Sequence, residues 1–269
     1  SDADCLHVEK ALKVLDFLLV IDIFKTPTSD LAHVVLPGAA FAEKEGTFSN
    51  TERRVQLLRK AVEPPGESKP DWQIIQELSS RFGYPMDYVS PRAIMEEIAK
   101  LTPSYGGITY DRLQGDGLQW PCPNTEHPGT KFLHQGRFTR GKGLFSAIEY
   151  KPAAETADEE YPFQLTTGRV HVHYHTGTMT RNSPSLEREI RECFLEMHPE
   201  DAVELKVADG DWVVIASRRG SVSTRVKLTD AAGRKTVFMP FHFLESRANI
   251  LTNPIFDPIA KIPEFKVCA

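Results

Sequence analysis

The chain lacks the features that mark several common classes of protein. Its 269 residues include four cysteines but no Cys-x-x-Cys pair. Zinc ribbons and iron–sulfur clusters need closely spaced thiolates, so we expect neither within this chain. No apolar run approaches the roughly 18 residues of a membrane span, and the longest, residues 17–24, is interrupted by Asp22. A Walker loop, a Gly-x-Gly-x-x-Gly motif and a Ser/His/Asp triad pattern are also absent.

Charge and composition further narrow the classes of protein to which the chain can belong. The 32 Lys and Arg against 37 Asp and Glu give a net charge of −5, without the basic excess of a nucleic-acid-binding chain. The apolar fraction of 41% is ordinary for a globular protein, and the length predicts one large domain or two ordinary ones. Residues 1–4 carry neither a signal-peptide pattern nor an initiator Met. We therefore expect a processed or excised chain, or a part of something longer.

Residues 1–62 have an α/β pattern. Apolar side chains recur at helical spacing over residues 8–15. Residues 17–21 form a continuous apolar run, which is typical of a strand buried on both faces, and residues 33–36 form a second short run. This order of helix and strands predicts a partial α/β, Rossmann-like domain with a parallel sheet.

Residues 63–158 predict a helical and irregular connector. One helix is expected to begin at Ser68, with Pro70 in its first turn and its last apolar position at Phe82. A second is expected after Ser90, with Pro91 at its first position. The rest, residues 102–158, is rich in Pro and Gly and shows little periodicity.

Residues 159–269 predict a mainly β domain, because short alternating runs are separated by turn residues. The expected elements are strands over residues 161–168, 212–217, 222–228 and 235–239, with a short helix over residues 200–207. Several short strands in about 110 residues predict a closed or nearly closed barrel.

The densest polar cluster, residues 168–181, contains His171, His173 and His175. Alternate histidines would share one face of a strand and could ligate a metal. Two arginines, several Thr hydroxyls and two flanking glycines instead suit an anion such as phosphate. A merely solvated loop is the third alternative, and the residues alone leave all three open.

Three further places offer weaker signals. Asp22, with Thr26 and Thr28 after it, follows the predicted buried strand, where a carboxylate can bind a base edge or a ribose hydroxyl, or cap a helix. Residues 47–56 are rich in donors, and an exposed charged turn is the simpler interpretation. Cys193 lies near an arginine that could lower its pKa, although a buried structural thiol is the plainer alternative.

Nine segments in order resemble the molybdopterin oxidoreductase (DMSO reductase) family, and within it the formate dehydrogenases. They include the Thr167-Gly168-Arg169 and Pro263-Glu264-Phe265-Lys266 motifs, which favour formate dehydrogenase over nitrate or sulfoxide reductases. The full set is residues 22–28, 33–39, 45–56, 71–75, 119–123, 165–169, 173–181, 249–252 and 261–269.

The resemblance implies that the chain is the C-terminal part of a catalytic subunit. Such a subunit carries its iron–sulfur cluster and its molybdenum- or tungsten-ligating residue upstream, so we expect no catalytic residue and no metal ligand here. The whole enzyme would oxidise formate to CO2, with the upstream part of the same subunit and electron-transfer subunits as partners. We expect a cytoplasmic protein, or a periplasmic one if a twin-arginine signal precedes this part.

The resemblance also implies a six-stranded double-psi β-barrel that binds molybdopterin guanine dinucleotide. Asp22 and Thr26 would bind the guanosine end of one dinucleotide. The residues expected to line the pterin and pyrophosphate of the other are Arg169, His173, Tyr174, His175 and Thr176, with Phe241, Asn249, Phe265 and Lys266 nearby. Further cofactor-binding candidates are Thr28, Asn50 and Gly168. The alternatives are a non-enzymatic barrel module, or a related oxidoreductase with another small substrate.

Overall fold

The computed structural model describes residues 4–264 and 268–269. The chain divides into an N-terminal unit, Leu19–Ile148, and a C-terminal unit, Glu149–Ala269, to which Ser1–Leu18 also belongs. The α-helices are α1 (Cys5–Lys13), α2 (Asp71–Arg81), α3 (Pro91–Leu101), α4 (Pro184–Glu189) and α5 (Pro199–Leu205). The strands are β1 (Leu19–Asp22), β2 (Val34–Pro37), β3 (Gly46–Ser49), β4 (Arg54–Leu58), β5 (Leu118–Gln119), β6 (Gln164–Gly168), β7 (Phe194–Met197), β8 (Trp212–Ser217), β9 (Gly220–Leu228) and β10 (Thr236–Pro240).

The N-terminal unit contains two small sheets. β1 and β2 are parallel, with Asp22 opposite Pro37 at their carboxyl ends. β3, β4 and β5 form an antiparallel sheet in that order. The buried core beside it consists of Val55, Met95, Ile108, Leu113 and Cys122.

The parallel sheet confirms the predicted order of elements but corrects two expectations. β1 begins at Leu19, and all four of its residues are only half-buried. The prediction of a strand buried on both faces was therefore wrong. The reason is that β1 has one neighbouring strand in the described chain, and Phe17 before it is exposed. The preceding helix ends at Lys13, which leaves the apolar Val14 and Leu15 exposed beyond it.

The two connector helices are present, with one change at a helix start. Ser90 caps α3 by accepting a hydrogen bond from the Ala93 N–H at 3.3 Å, as predicted. α2 begins at Asp71, and Ser68 instead donates to the carbonyl of Pro65 at 2.6 Å. The donor-rich segment 47–56 is not a simple exposed turn, because β3 and β4 pair across it as a hairpin.

The C-terminal unit is built on a curled mixed sheet of five described strands. Their order is β6-β10-β7-β9-β8, with β6 parallel to β10 and β7 parallel to β9. β8 has the predicted bounds, whereas the four-residue β7 was not predicted. The core contains Leu195, Val226, Met239, Phe243 and Leu251. In the described part of the chain, no helix is long and apolar enough to cross a membrane.

Candidate functional site

The site in the C-terminal unit lies where two parallel strands end together. Gly168 at the end of β6 is opposite Pro240 at the end of β10. The Phe241 N–H donates to the Gly168 carbonyl at 3.2 Å, and this hydrogen bond holds the ends of the two strands side by side. Arg169 and Phe241 are therefore the first residues to leave the sheet at the same edge. Ligands of parallel sheets bind at such carboxyl ends.

The segment after Gly168 is a loop, which corrects the idea that its histidines share a strand face. His171 and His175 are exposed, whereas His173 is buried. His175 has a φ of 47°, in the left-handed region, and so breaks any regular alternation. Among the described residues, no three His, Cys, Asp or Glu side chains come together as a metal site. The geometry therefore favours the anion interpretation over the metal one.

Arg169 presents its charge at this edge. Its side chain is exposed, and the guanidinium carbon lies 5.9 Å from the centre of the Phe241 ring. One guanidinium nitrogen is 3.4 Å from His175 Nδ1. Among the described residues, Arg169 forms no ion pair with a carboxylate. An exposed guanidinium without a carboxylate partner, held over an aromatic ring, is suited to an anionic ligand.

Arg181, the second arginine of the cluster, has a different role. Its guanidinium forms ion pairs with Glu187 at 3.1 Å and Glu245 at 2.8 Å, and it lies 4.9 Å from the Phe243 ring centre. Burial lowers the pKa of Arg181, but the hydrogen bonds that its guanidinium donates to the two carboxylates raise it above its ordinary value. Arg181 is thus neutralised within the protein and anchors the end of the loop.

His173 supports the loop from inside. Its Nε2 lies 2.8 Å from the Ile190 carbonyl, to which it donates, and its Nδ1 lies 3.2 Å from Thr180 Oγ1. The side chain is fully buried. Both ring nitrogens are therefore used within the protein, and His173 serves the site by shaping the loop.

The neighbouring residues are more accessible. Tyr174 is 63% exposed, and its ring meets that of His175 edge-on at 4.3 Å. The Tyr174 N–H donates to Thr180 Oγ1 at 3.2 Å. Thr176 Oγ1 lies 3.4 Å from Thr178 Oγ1. An aromatic face, an imidazole and a hydroxyl thus stand beside Arg169.

A buried residue of this site that the sequence analysis did not single out is His242. It follows Phe241, is 2% exposed and accepts a hydrogen bond from the Val170 N–H at 2.9 Å. Its other ring nitrogen, Nδ1, hydrogen bonds the His175 carbonyl. A histidine placed between two phenylalanines, three positions after the predicted strand 235–239, was the available signal.

The remaining candidates of this unit are placed less directly. Asn249 lies in a 3₁₀ turn, Ala248–Ile250, and its carbonyl accepts from Thr252 Oγ1 at 3.3 Å. Phe265 and Lys266 lie outside the described residues. Cys193 is buried, and burial raises its pKa to about 12, so the plainer alternative of a structural thiol is the one observed.

A second candidate location lies at the carboxyl ends of β1 and β2. Asp22 Oδ1 accepts hydrogen bonds from the N–H groups of Ile23 at 2.7 Å and Phe24 at 3.4 Å. Thr26 Oγ1 accepts from the Ser29 N–H at 3.2 Å, while Thr28 is exposed. One Asp22 oxygen therefore shapes a bend of the chain, and the helix-cap alternative was wrong, because the next helical element is the 3₁₀ turn Ser29–Leu31, with Thr28 at its N-cap.

The hairpin segment uses its donors internally. Asn50 Oδ1 accepts from the N–H groups of Glu52 at 2.9 Å and Arg54 at 3.0 Å, which closes the β3–β4 turn. The Arg53 guanidinium donates to three backbone carbonyls, those of Trp120, Thr130 and Lys131. These side chains therefore organise the N-terminal unit.

Two models of known families match segments of this chain. Residues 163–269 match the Molydopterin dinucleotide binding domain, and residues 1–81 match Molybdopterin oxidoreductase. The chain therefore belongs to the molybdopterin oxidoreductases, and the expected cofactor class, molybdopterin guanine dinucleotide, is confirmed.

Individual relatives refine the class. The chain is 54% identical, over its whole length, to the F420-dependent formate dehydrogenase subunit alpha of Methanocaldococcus jannaschii, of which it covers 41%. It is 41% identical over 97% of its length to the assimilatory nitrate reductase catalytic subunit of Bacillus subtilis, covering 39% of that protein. It also resembles the solved acetylene hydratase from Pelobacter acetylenicus, with a TM-score of 0.74 and 18% identity, over 98% of this chain and 41% of that one. The chain thus spans about two fifths of these relatives.

Proposed function

We propose that this chain is the cofactor-binding C-terminal portion of a formate dehydrogenase catalytic subunit. The observation that carries the proposal is Arg169, an exposed guanidinium without an ion-pair partner among the described residues, at the shared carboxyl ends of β6 and β10. Its place in the matched dinucleotide-binding segment supports a pyrophosphate as the anion.

The donor set fits such a ligand. Arg169 supplies a charged fork, and His175 and Thr176 supply further polar groups. Tyr174 offers an exposed aromatic face for a ring system. Gly168 is buried at the strand end, where the absence of a side chain lets a ligand approach the backbone closely. His173 and Arg181 hold the loop, while Phe241 supports Arg169 from below.

The N-terminal unit would bind the guanosine end of a second dinucleotide. Asp22 has one carboxylate oxygen engaged in its own turn, which leaves the other to accept hydrogen bonds from a base edge or a ribose. Thr26 and Thr28 follow at the same carboxyl end of the sheet. Asn50 would support this unit through the hairpin turn, and Asn249, Phe265 and Lys266 would complete the other site.

For the fold, we propose that the curled mixed sheet belongs to a six-stranded double-psi β-barrel. The proposed division is a partial α/β domain at residues 1–62, a connector at 63–158 and the barrel at 159–269. The mixed pairing of β6, β10, β7, β9 and β8 supports the last of these, because such a barrel needs both parallel and antiparallel neighbours.

In the whole enzyme, the metal-loaded pterin would accept two electrons as formate becomes CO2 and a proton. The role of the present residues is to bind and orient that cofactor, and to neutralise its phosphates. The upstream part of the subunit would supply the iron–sulfur cluster and the metal ligand, and electron-transfer subunits would accept the electrons.

The test is the variant Arg169→Ala in the full-length subunit. We expect at least a tenfold loss of bound dinucleotide, because one charge-assisted bidentate contact contributes about 1.5–3 kcal/mol. Bound dinucleotide is measured as GMP released by acid hydrolysis after gel filtration. The matched control is Arg225→Ala, which removes an exposed arginine from the face of β9. Undiminished GMP in the Arg169 variant would contradict the proposal.

The substrate is tested separately, since a nitrate reductase is also a relative. The full-length enzyme is assayed for formate oxidation and for nitrate reduction with the same artificial dyes. We expect formate turnover, because identity is higher to the formate dehydrogenase. Nitrate turnover alone would move the protein to another branch of the family, and a subunit without pterin would favour the non-enzymatic module.

A further inference from the structure

His242 connects the two loops that leave the sheet at the candidate site. Its Nε2 accepts the Val170 N–H at 2.9 Å, and an acceptor nitrogen carries no proton. Its Nδ1 faces the His175 carbonyl, which can only accept, so Nδ1 carries the proton. Both partners are backbone groups that cannot change role. They therefore select one neutral tautomer of the imidazole.

The two bonds hold the segment that presents Arg169, Tyr174 and His175. Val170 directly follows Arg169, so its N–H fixes the point at which the arginine leaves the sheet. The His175 carbonyl belongs to a residue with φ of 47°, a conformation that non-glycine residues adopt at a cost. A hydrogen bond to that carbonyl stabilises the turn that places His175 Nδ1 3.4 Å from the Arg169 guanidinium.

The surroundings of His242 also oppose a charge on its ring. Its side chain is buried between the rings of Phe241, at 5.1 Å, and Phe243, at 6.1 Å. The titratable and charged groups that face it from the loop after β6 are His173, His175 and Arg169, followed by Arg181. The nearby carboxylates Glu187 and Glu245 are engaged by Arg181.

We propose that His242 is a positioning residue for the dinucleotide: as a neutral, Nδ1-protonated imidazole it clamps residues 170–175 in the conformation that binds the cofactor. This rests on the proposed function of the loop. Protonation of Nε2 would turn the acceptor of the Val170 N–H into a second donor, so the clamp opens on one side. The loop then binds the dinucleotide less tightly at acidic pH.

The direction of the pH effect follows from the environment. Burial lowers the pKa of His242, and the positive groups around it add to this, against the opposing hydrogen bond to the His175 carbonyl. The His242 ring is therefore fully in its neutral form above about pH 6.5, the ordinary histidine pKa. The clamp is lost as the pH falls through the lower pKa of the folded state.

The experiment uses the full-length subunit loaded with its dinucleotide. Samples are held at pH values from 8 to 4.5, gel-filtered, and assayed for protein-bound GMP after acid hydrolysis. We expect a constant release rate above about pH 6.5, and below the pKa of His242 a rise of up to about tenfold per pH unit. A flat wild-type profile over the whole range overturns the proposal without any variant.

Three variants test whether the pH dependence of dinucleotide release originates at His242. His242→Gln keeps an acceptor near the Nε2 position but cannot be protonated, so its release rate should be independent of pH in this range. His242→Asn keeps a donor near Nδ1 and loses the Val170 acceptor, so it should release the dinucleotide faster than wild type at pH 8. The control His198→Gln changes a histidine that caps α5, and should keep the wild-type profile.

The outcomes separate this proposal from the proposed function. If the wild-type subunit holds dinucleotide and His242→Gln keeps the wild-type acid-induced release, the clamp is refuted while the binding site stands. If the wild-type subunit holds no dinucleotide at any pH, the proposed function itself fails, and the clamp with it. A pH-independent His242→Gln beside a pH-dependent control supports the clamp.

Discussion

Arg234 contacts three acidic side chains, Glu200, Asp201 and Glu204, of which Glu200 and Asp201 differ entirely in burial. Asp201 is fully buried in the first turn of α5 and accepts from Arg234 Nε at 2.7 Å and from the Lys235 N–H at 2.7 Å. Glu200, which pairs with another nitrogen of the same guanidinium, is 68% exposed. Burial raises the pKa of Asp201, but the hydrogen bonds from Arg234 and Lys235 lower it below its ordinary value. Asp201 thus ties α5 to the start of β10.

The buried contact should therefore dominate stability. We expect Asp201→Asn to lower the free energy of unfolding by about 1.5–3 kcal/mol, the usual value of hydrogen bonds to a charged group. The control Glu200→Gln removes the exposed partner of the same arginine and should cost little. Urea denaturation followed by tryptophan fluorescence compares the two. Equal losses of unfolding free energy in the two variants would show that burial does not determine how much each carboxylate contributes.

The same contact gives a pH dependence with a defined sign. Because the pKa of Asp201 is lowered in the folded state, its contribution is present above the ordinary Asp pKa of about 3.9 and is lost as the pH falls through the folded value. The stability gap between wild type and Asp201→Asn should therefore narrow below that pH.

At the scale of elements, local pattern decided which strands were predictable. β8 alternates between exposed and half-buried residues, and period-two alternation is readable from sequence. β7 has four residues between loops, too few to show a period. The β3–β4 hairpin was missed because its charged turn is stabilised from far away, by carbonyls near residues 120–131 that accept from Arg53.

The same distinction holds for the site. The position of Arg169 at a strand end was predictable because it directly follows a predicted strand that ends in a glycine, whereas its role in binding was implied by the resemblance and stays a prediction. His242 was not predictable, because its role depends on Val170, 72 positions earlier in the chain. His173 was identified as a polar residue of the cluster, but its burial depends on contacts with the later Ile190.

The loop 169–181 also depends on one glycine. Gly177 has φ of 76°, and a Cβ there would lie 2.7 Å from Arg181 Cγ and 3.3 Å from the His242 carbonyl. Arg181 is held by two glutamates and cannot easily move aside. Gly210 has a similar φ of 83°, but a Cβ there would meet nothing within 4 Å.

This contrast yields a matched pair of variants. Gly210→Ala should cost only the left-handed backbone penalty, about 1–2 kcal/mol. Gly177→Ala should cost more, and in the full-length subunit it should also reduce bound dinucleotide. Urea denaturation and GMP release measure the two effects. A Gly177→Ala subunit with wild-type dinucleotide content would show that the loop tolerates this change.

At the scale of the whole molecule, one stretch of the chain between β5 and β6 is far more exposed than the rest of the described residues. Residues 131–151 form no helix or named strand, and Phe145, Ile148 and Tyr150 are at least 90% exposed. The stretch contains four trypsin sites, Lys131, Arg137, Arg140 and Lys142; its fifth basic residue, Lys151, precedes Pro152, and trypsin does not cut that bond. Exposed chain outside regular structure is where proteases cut first.

We therefore expect limited trypsin digestion of the isolated chain to cut first within residues 131–151. The cut should give two fragments of similar size, since the stretch lies near the middle of the 269 residues. Arg218 and Arg219 are the internal comparison, because their guanidinium groups are paired with Glu155 and their backbone lies at the turn between β8 and β9. Mass spectrometry of the first fragments identifies the site. A first cut at Arg218 or Arg219 would contradict the expectation, because it would mean that the ion-paired turn opens more readily than the exposed stretch.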